Sequence, residues 1–264
     1  MKLNPIKSVQ QNVVKLLTSI TALVCCIPST SPAGSSAEKG FQPGKIHVLL
    51  VGDSTVTDNA GWGKGFAACL KDDTECINIS KGGRSSKSCI AEGLWAKGLA
   101  LKPDYVLIQF GHNDQPGHGD RETDPQTTYR QFMTQYVDDA KAAGIKPVLV
   151  TSLSRRQWGT DGKIHSTLEP WVNVVKEIAK EKNVPLIDLH ARSIQYYEEQ
   201  GKEKILEISP VKNADPKTKN GDTASAQNGG YDGTHLNEKG SQAIGPMVAA
   251  ELKIAVPELA PHIK

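Results

Sequence analysis

The feature that most constrains this 264-residue chain is a series of short apolar runs separated by longer amphipathic stretches. The runs are Lys45 to Val51, Cys76 to Ser80, Tyr105 to Phe110, Pro147 to Thr151 and Pro185 to Leu189. Most are continuous in apolar residues instead of alternating with polar ones, as in strands covered on both faces. Between them the periodicity is helical. Tyr129, Phe132, Met133, Tyr136, Val137 and Ala140 mark one apolar face, ended by Gly144. Trp171, Val174, Val175 and Ile178 mark another, with Pro170 suited to its first turn, and Ile244, Met247, Val248 and Leu252 mark a last helix. Strand–helix–strand alternation predicts parallel strands joined by right-handed crossovers, hence a three-layer α/β domain. The sequence shows no internal repeat and no second hydrophobic core.

With 38% apolar, 23% charged and 5% aromatic residues, the chain is neither disordered nor polytopic in a membrane. Its net charge of +2 owes three lysines, Lys2, Lys7 and Lys15, to a segment without acidic residues. The remainder is close to neutral, so charge gives no reason to expect nucleic acid or an anionic membrane as partner. Those lysines lead into a mostly apolar run from Leu16 to Ile27 and then Pro28-Ser29-Thr30-Ser31-Pro32-Ala33. A basic flank, a short apolar run and small residues before a cut after Ala33 predict a signal peptide over 1–33. The expectation is therefore a secreted or periplasmic protein, with no membrane association once the signal is cleaved. Residues 34–44 read as a leader and 45–264 as the domain. Cys69, Cys76 and Cys89 remain, and in an oxidising compartment Cys69 to Cys76 is the expected bridge. Residues 202–230, rich in Lys, Asn, Asp and Gly, read as a long surface loop.

In open parallel sheets, ligands bind outside the carboxyl ends of the strands. Four polar or glycine-rich clusters fall there: Gly52-Asp53-Ser54-Thr55, Gly82-Gly83-Arg84-Ser85-Ser86, Gly111-His112-Asn113-Asp114 and Asp232-Gly233-Thr234-His235. A nucleophilic serine needs a base within reach, a group to orient that base, and donors for the oxyanion. Ser54 follows a strand and a glycine; Asp232 and His235 are three apart in a turn; Gly83 offers an unobstructed N–H and Asn113 an amide. Each alone reads as well in a bland way: Ser54 as a helix N-cap, the glycines as turn formers, Asn113 and Asp114 as loop residues, His235 as an ordinary histidine. Their roles interlock only when they are taken together.

The same blocks, extended to Gly83-Arg84-Ser85-Ser86 and to Asp232-Gly233-Thr234-His235-Leu236-Asn237, resemble those of the SGNH, or GDSL-type, hydrolases, and within them the rhamnogalacturonan acetylesterases. The resemblance runs from about Lys45 to Leu252. It implies a flavodoxin-like α/β/α fold with a five-stranded parallel sheet in the order 2-1-3-4-5, and removal of O-acetyl groups from pectic rhamnogalacturonan by a secreted enzyme. By position, it implies Ser54 as nucleophile, His235 as base and Asp232 as its orienting partner. The oxyanion hole would comprise the N–H groups of Ser54 and Gly83 and the side chain of Asn113, with no metal or organic cofactor. An acetylated polysaccharide is then the expected partner. Arg84 and Lys87 lie near the proposed hole, and Arg155, Arg156 and Trp158 follow the fourth strand. Arginine pairs bidentately with carboxylates and tryptophan stacks on sugar rings, so Arg84, Arg155, Arg156 and Trp158 are candidate substrate contacts.

Three alternatives stand beside this reading. Acetylated xylan, another pectic region or a small acyl ester would keep the chemistry and change the substrate. A metal-dependent hydrolase would use His112, Asp114, His118 and Asp120 as ligands. A carbohydrate-binding protein on a retired hydrolase scaffold would bind without turnover.

Overall fold

The computed structural model describes residues 40–211 and 230–264; the expected signal peptide and most of the 202–230 stretch lie outside them. The described residues form a five-stranded sheet of β1 (Ile46–Gly52), β2 (Thr74–Asn78), β3 (Tyr105–Gln109), β4 (Lys146–Val150) and β5 (Leu186–Ile187). All neighbours pair in parallel, in the order β2-β1-β3-β4-β5. This is the expected three-layer α/β fold. The strands match the apolar runs, with ends shifted by at most two residues. β2 lies at the edge and is only partly covered, which accounts for its weaker apolar pattern.

Alternate residues of each strand enter different apolar clusters, because side chains of a strand point to opposite faces. Val48, Leu50, Leu107, Val148 and Val150 pack with α1 (Gly63–Ala67), α6 (Leu189–Gln200) and α8 (Glu238–Ala255). Leu49, Val51, Val106, Ile108 and Leu149 pack on the other face. There they meet α3 (Leu94–Ala100), α4 (Arg130–Ala142) and α5 (Glu169–Lys182). The single core expected from the sequence is thus divided in two by the sheet. The predicted helical faces are largely the buried ones: Met133, Tyr136, Val137 and Ala140 on α4, with Tyr129 buried just ahead of it and Phe132 only partly covered, and Trp171, Val174, Val175 and Ile178 on α5. Two further helices, α2 (Ser86–Ala91) and α7 (Lys202–Ile205), are short, and α7 runs into a 3₁₀ turn at Leu206–Ile208. The stretch expected to be loop from residue 202 therefore begins as helix, because Ile205 and Ile208 bury into the cluster beneath it.

The expected Cys69–Cys76 bridge is not formed: Cys69, Cys76 and Cys89 are free thiols. Cys69 turns its thiol back to the carbonyl of Gly65, 3.3 Å away in the preceding turn, while Cys76 packs into the apolar cluster. Burial pushes the Cys76 thiol up to about 12 and the Cys89 thiol to about 11, so neither ionises at neutral pH.

Helix α8 carries the chain away from the Asp232–His235 turn, and its position is fixed by a contact that only glycine permits. A Cβ at Gly245 would lie 2.2 Å from the Gly65 backbone, and one at Gly65 would lie 1.9 Å from the Ser241 carbonyl. With both helices at bare-backbone distance, the Ser241 hydroxyl accepts from the Gly65 N–H at 3.0 Å. Gly245→Ala is expected to destabilise the fold by about 1–3 kcal/mol, since backbone cannot yield as a side-chain tip can. Urea denaturation measures this, and an unchanged midpoint would contradict the close packing.

Candidate active site

The site stands at the carboxyl edge of the sheet and begins where β1 ends. A Cβ at Gly52 would sit 2.6 Å from the Gln109 carbonyl, so the strand can end beside β3 only with glycine. The next residue, Asp53, is fully buried and makes the turn that carries Ser54. Its Oδ1 accepts from the Thr55 N–H at 2.8 Å and from the Thr55 hydroxyl at 2.7 Å. The Thr55 oxygen accepts in turn from Gln109 Nε2 at 2.7 Å, and Gln109 Oε1 accepts from the Trp62 indole at 2.9 Å. Asp53 Oδ2 faces His112 Nδ1 at 3.3 Å. Burial alone would raise the Asp53 carboxyl, but His112 and the Thr55 donors outweigh it and hold the group below the usual range. Burial pushes His112 down, against the pull of Asp53. The pair reads as a carboxylate accepting from a neutral imidazole, which leaves no net positive charge buried beneath Ser54.

Ser54 itself is half-buried, and its hydroxyl meets a partner from the far end of the chain. His235 Nε2 lies 2.8 Å from Ser54 Oγ, and His235 Nδ1 lies 2.9 Å from Asp232 Oδ2. The other Asp232 oxygen accepts the backbone N–H groups of Thr234 at 2.7 Å and His235 at 2.8 Å. Burial would raise the Asp232 carboxyl, yet His235 and these N–H donors overcome it and hold the group far below the ordinary carboxylate range. Leu236 N–H donates to the Ala60 carbonyl at 2.9 Å, stitching this turn to the loop that follows Ser54.

The glycine loop after β2 lies on the other side of Ser54: a Cβ at Gly82 would be 3.7 Å from the Ser54 Cβ. Gly83 has a φ of +76°, a left-handed backbone that glycine adopts without strain. Ser85 then caps α2 through a reciprocal capping box with Ser88. Asn113, in the loop after β3, joins the glycine loop by donating Nδ2–H to the Arg84 carbonyl at 3.1 Å. Asp114 fastens the two loops together, accepting from the Ser86 hydroxyl at 2.5 Å, the Ser86 N–H at 3.1 Å and the Thr123 hydroxyl at 3.0 Å. From the layer behind, the Tyr136 hydroxyl donates to the Ser86 carbonyl and the Tyr129 hydroxyl to the Phe110 carbonyl, each at 2.9 Å.

The candidate substrate residues divide. Arg84 is partly exposed, paired with Glu92 at 2.8 Å and bonded to the Gly82 carbonyl at 2.8 Å. Arg155 is partly exposed and reaches Gln115 and the His112 carbonyl. Lys87 is exposed on α2. Arg156 and Trp158, by contrast, do not present themselves to a substrate. Arg156 is 1% exposed and turned toward the Asp232–His235 turn, and Trp158 packs in the apolar core against Ile164. An arginine pair in sequence puts its members on opposite sides of an extended segment, so only one of two neighbours faces out. The rival metal ligands are also drawn apart, with His112 on Asp53, Asp114 on Ser86 and Thr123, and Asp120 exposed. Among the described residues no cluster of three or more His, Cys, Asp or Glu has metal-binding geometry.

Sequence reasoning missed Arg121. Its Nη1 donates to the Gly83 carbonyl at 2.9 Å and approaches Asn113 Oδ1 at 3.4 Å, so one guanidinium braces both loops. Nothing in the spacing marks it, because it comes from a turn between the third strand and α4.

A family model described as the GDSL-like lipase/acylhydrolase family matches residues 50–243. The chain belongs to this family. It is 38% identical over 216 residues to the rhamnogalacturonan acetylesterase RhgT of Bacillus subtilis, covering 77% of this chain and 88% of that protein. It is 32% identical to the probable rhamnogalacturonan acetylesterase YesY of the same organism, over 78% of this chain and 92% of the relative. In fold it is similar to the solved structure of Bacillus subtilis YxiM, with a TM-score of 0.65 at 22% identity, over 80% of this chain and 56% of that one. The chain is thus a carboxylic-ester hydrolase of the rhamnogalacturonan acetylesterase family, and more broadly an acetylesterase.

Burial raises the Asp114 carboxyl from its ordinary 3.8 to about 7, against the hydrogen bonds from Ser86 and Thr123. A carboxyl raised on folding contributes stability that is fully present below its unfolded pKa and is lost as pH rises through the folded value. The thermal midpoint is therefore expected to fall as pH climbs from about 4 through 7. Asp114→Asn, a neutral analogue of the protonated acid, should flatten that part of the curve. Scanning calorimetry of both proteins across this range checks it, and parallel curves would refute the assignment.

Proposed function

We propose that this enzyme removes O-acetyl groups from pectic rhamnogalacturonan through a Ser54–His235–Asp232 mechanism, and that it acts after export, in the periplasm or outside the cell. The observation that carries the reading is the continuous hydrogen-bonded line from Asp232 through both nitrogens of His235 to Ser54. Asp232, held ionised, fixes the tautomer with the proton on Nδ1 and leaves Nε2 as the acceptor for the Ser54 proton. Ser54 Oγ attacks the acetyl carbonyl and its proton passes to His235. The developing oxyanion is received by the N–H groups of Ser54 and Gly83 and by the free N–H of the Asn113 amide. Collapse of the tetrahedral intermediate expels the sugar oxygen, which takes the proton from His235. Water, deprotonated by His235, then attacks the acetyl-enzyme; the Ser54 oxygen leaves, takes that proton back from His235, and acetate is released.

The polymer is supported by the 38% identity to a named rhamnogalacturonan acetylesterase across most of both chains. Arg84 and Arg155, the two candidate arginines that remain near the surface, fit a chain carrying galacturonate carboxylates. Export rests on the basic and apolar pattern of residues 1–33, which predicts a cleaved signal.

Acetate release from acetylated rhamnogalacturonan, with acetylated xylan alongside, tests the proposal. The wild type should favour the pectic polymer, and Ser54→Ala should lose on the order of 10⁶-fold in kcat. Asp232→Asn should cost about 10⁴-fold by presenting the wrong tautomer, and Asn113→Ala about 100- to 1000-fold by removing a donor from the hole. Preference for xylan would move the substrate and keep the mechanism. Equal activity of wild type and Ser54→Ala would sink the mechanism.

A further inference from the structure

Arg156 lies in the segment after β4, on an element that carries neither Ser54 nor His235. Its side chain is 1% exposed. One terminal nitrogen, Nη2, donates to the carbonyl of Asp232 at 2.8 Å and also to the carbonyl of His235. The Nε–H donates to Ser209 Oγ at 2.9 Å, and the Arg156 backbone N–H donates to the Gly233 carbonyl at 2.8 Å. The guanidinium carbon stands 5.6 Å from the centre of the Tyr197 ring, within the range of a cation–π contact. Three of the four residues from Asp232 to His235 thus offer their carbonyls to this one arginine.

The turn it holds has little regular structure of its own. α8 begins only at Glu238, after Asn237 caps it by accepting from the Gly240 N–H at 3.0 Å. Ahead of the turn, the Asp232 N–H donates to the Pro210 carbonyl at 2.9 Å. Between these anchors, two side-chain contacts of 2.8 and 2.9 Å must be met together by one imidazole. A planar guanidinium whose Nη2 binds the carbonyls at both ends of the turn, and whose Nε is held by Ser209, fixes the peptide planes from which Asp232 and His235 project. Burying a guanidinium is costly unless its donors are used, so space-filling alone does not account for an arginine here.

We propose that Arg156 is a positioning residue for the acyl transfer, holding the Asp232–His235 turn so that His235 Nε2 stays in line with Ser54 Oγ. This rests on the Ser54–His235–Asp232 mechanism proposed above. Lysine can offer an ammonium to these carbonyls, but it lacks the Nε donor to Ser209 and the planar group that together set the angle of the contact.

The test compares wild type, Arg156→Lys, Arg156→Met and His235→Ala as full chains, using p-nitrophenyl acetate, with active Ser54 counted by a serine-reactive phosphonate. Displacements on the scale of 1 Å cost up to about 100-fold, so kcat per folded molecule should fall roughly 10- to 100-fold in both arginine variants. KM should stay within about twofold, because Arg156 is not placed to touch the substrate. The far-downfield proton resonance of the His235 Nδ1–H to Asp232 bond should shift or broaden. If Arg156→Met fails to fold, Arg156→Lys decides. A folded Arg156→Lys with wild-type kcat and an unmoved downfield proton overturns the proposal, as does a loss wholly explained by the unfolded fraction. Full activity of His235→Ala would instead overturn the mechanism beneath it, so the two failures are distinguishable.

Discussion

Parallel strands cannot be joined by tight turns, and this one restriction organises the molecule. Each connection must leave the carboxyl edge of the sheet, cross a face as helix and return to the amino edge. Every segment that follows a strand therefore starts its course at the same edge, whatever its place in the sequence. Ser54, Gly83 and Asn113 arrive there from the ends of β1, β2 and β3, and Arg155 and Arg156 from the end of β4. The Asp232–His235 turn reaches the same edge just before the final helix. Residues 181 positions apart meet at 2.8 Å because the sheet brings their loops to a common border.

The loops at that border are held by buried polar groups more than by apolar packing. Two aspartates, each next to a candidate site residue, do much of this. Asp53 ties the Ser54 turn to β3 through Thr55 and Gln109, and Asp114 ties the Asn113 loop to the start of α2 through Ser86. Both are fully buried, and their ionisation differs because their partners differ. Asp53 faces an imidazole and is held down, whereas burial pushes Asp114 up against the weaker pull of its neutral donors. Buried carboxylates with satisfied oxygens can specify loop geometry that apolar side chains leave open.

Much of this was legible in the sequence because burial leaves a periodic trace. The continuous apolar runs became β1 to β5, and the 3.6-residue faces beginning near Met133 and Trp171 became α4 and α5. Ser54, Asp232 and His235 could be singled out because their chemistry demands particular residue types beside strand ends. Arg121 and the inward turn of Arg156 were illegible for a physical reason. A guanidinium that binds backbone carbonyls needs no particular residue type at the other end, so no complementary signal exists in the sequence. Trp158 was misjudged because a tryptophan beside a cluster of charge has the same appearance on the surface and in the core. The disulfide expectation failed similarly, since seven residues of spacing between Cys69 and Cys76 say nothing about which way their side chains turn.

The three thiols carry a consequence for how the domain comes to be folded. Cys69, Cys76 and Cys89 are all unbridged, two of them with thiols that resist ionisation, so the described fold contains no bond that an oxidant must make. Among the described residues, no step of folding has a disulfide to wait for. The domain's assembly is then independent of disulfide-forming machinery, and a shift in ambient redox potential has no covalent cross-link in it to cut.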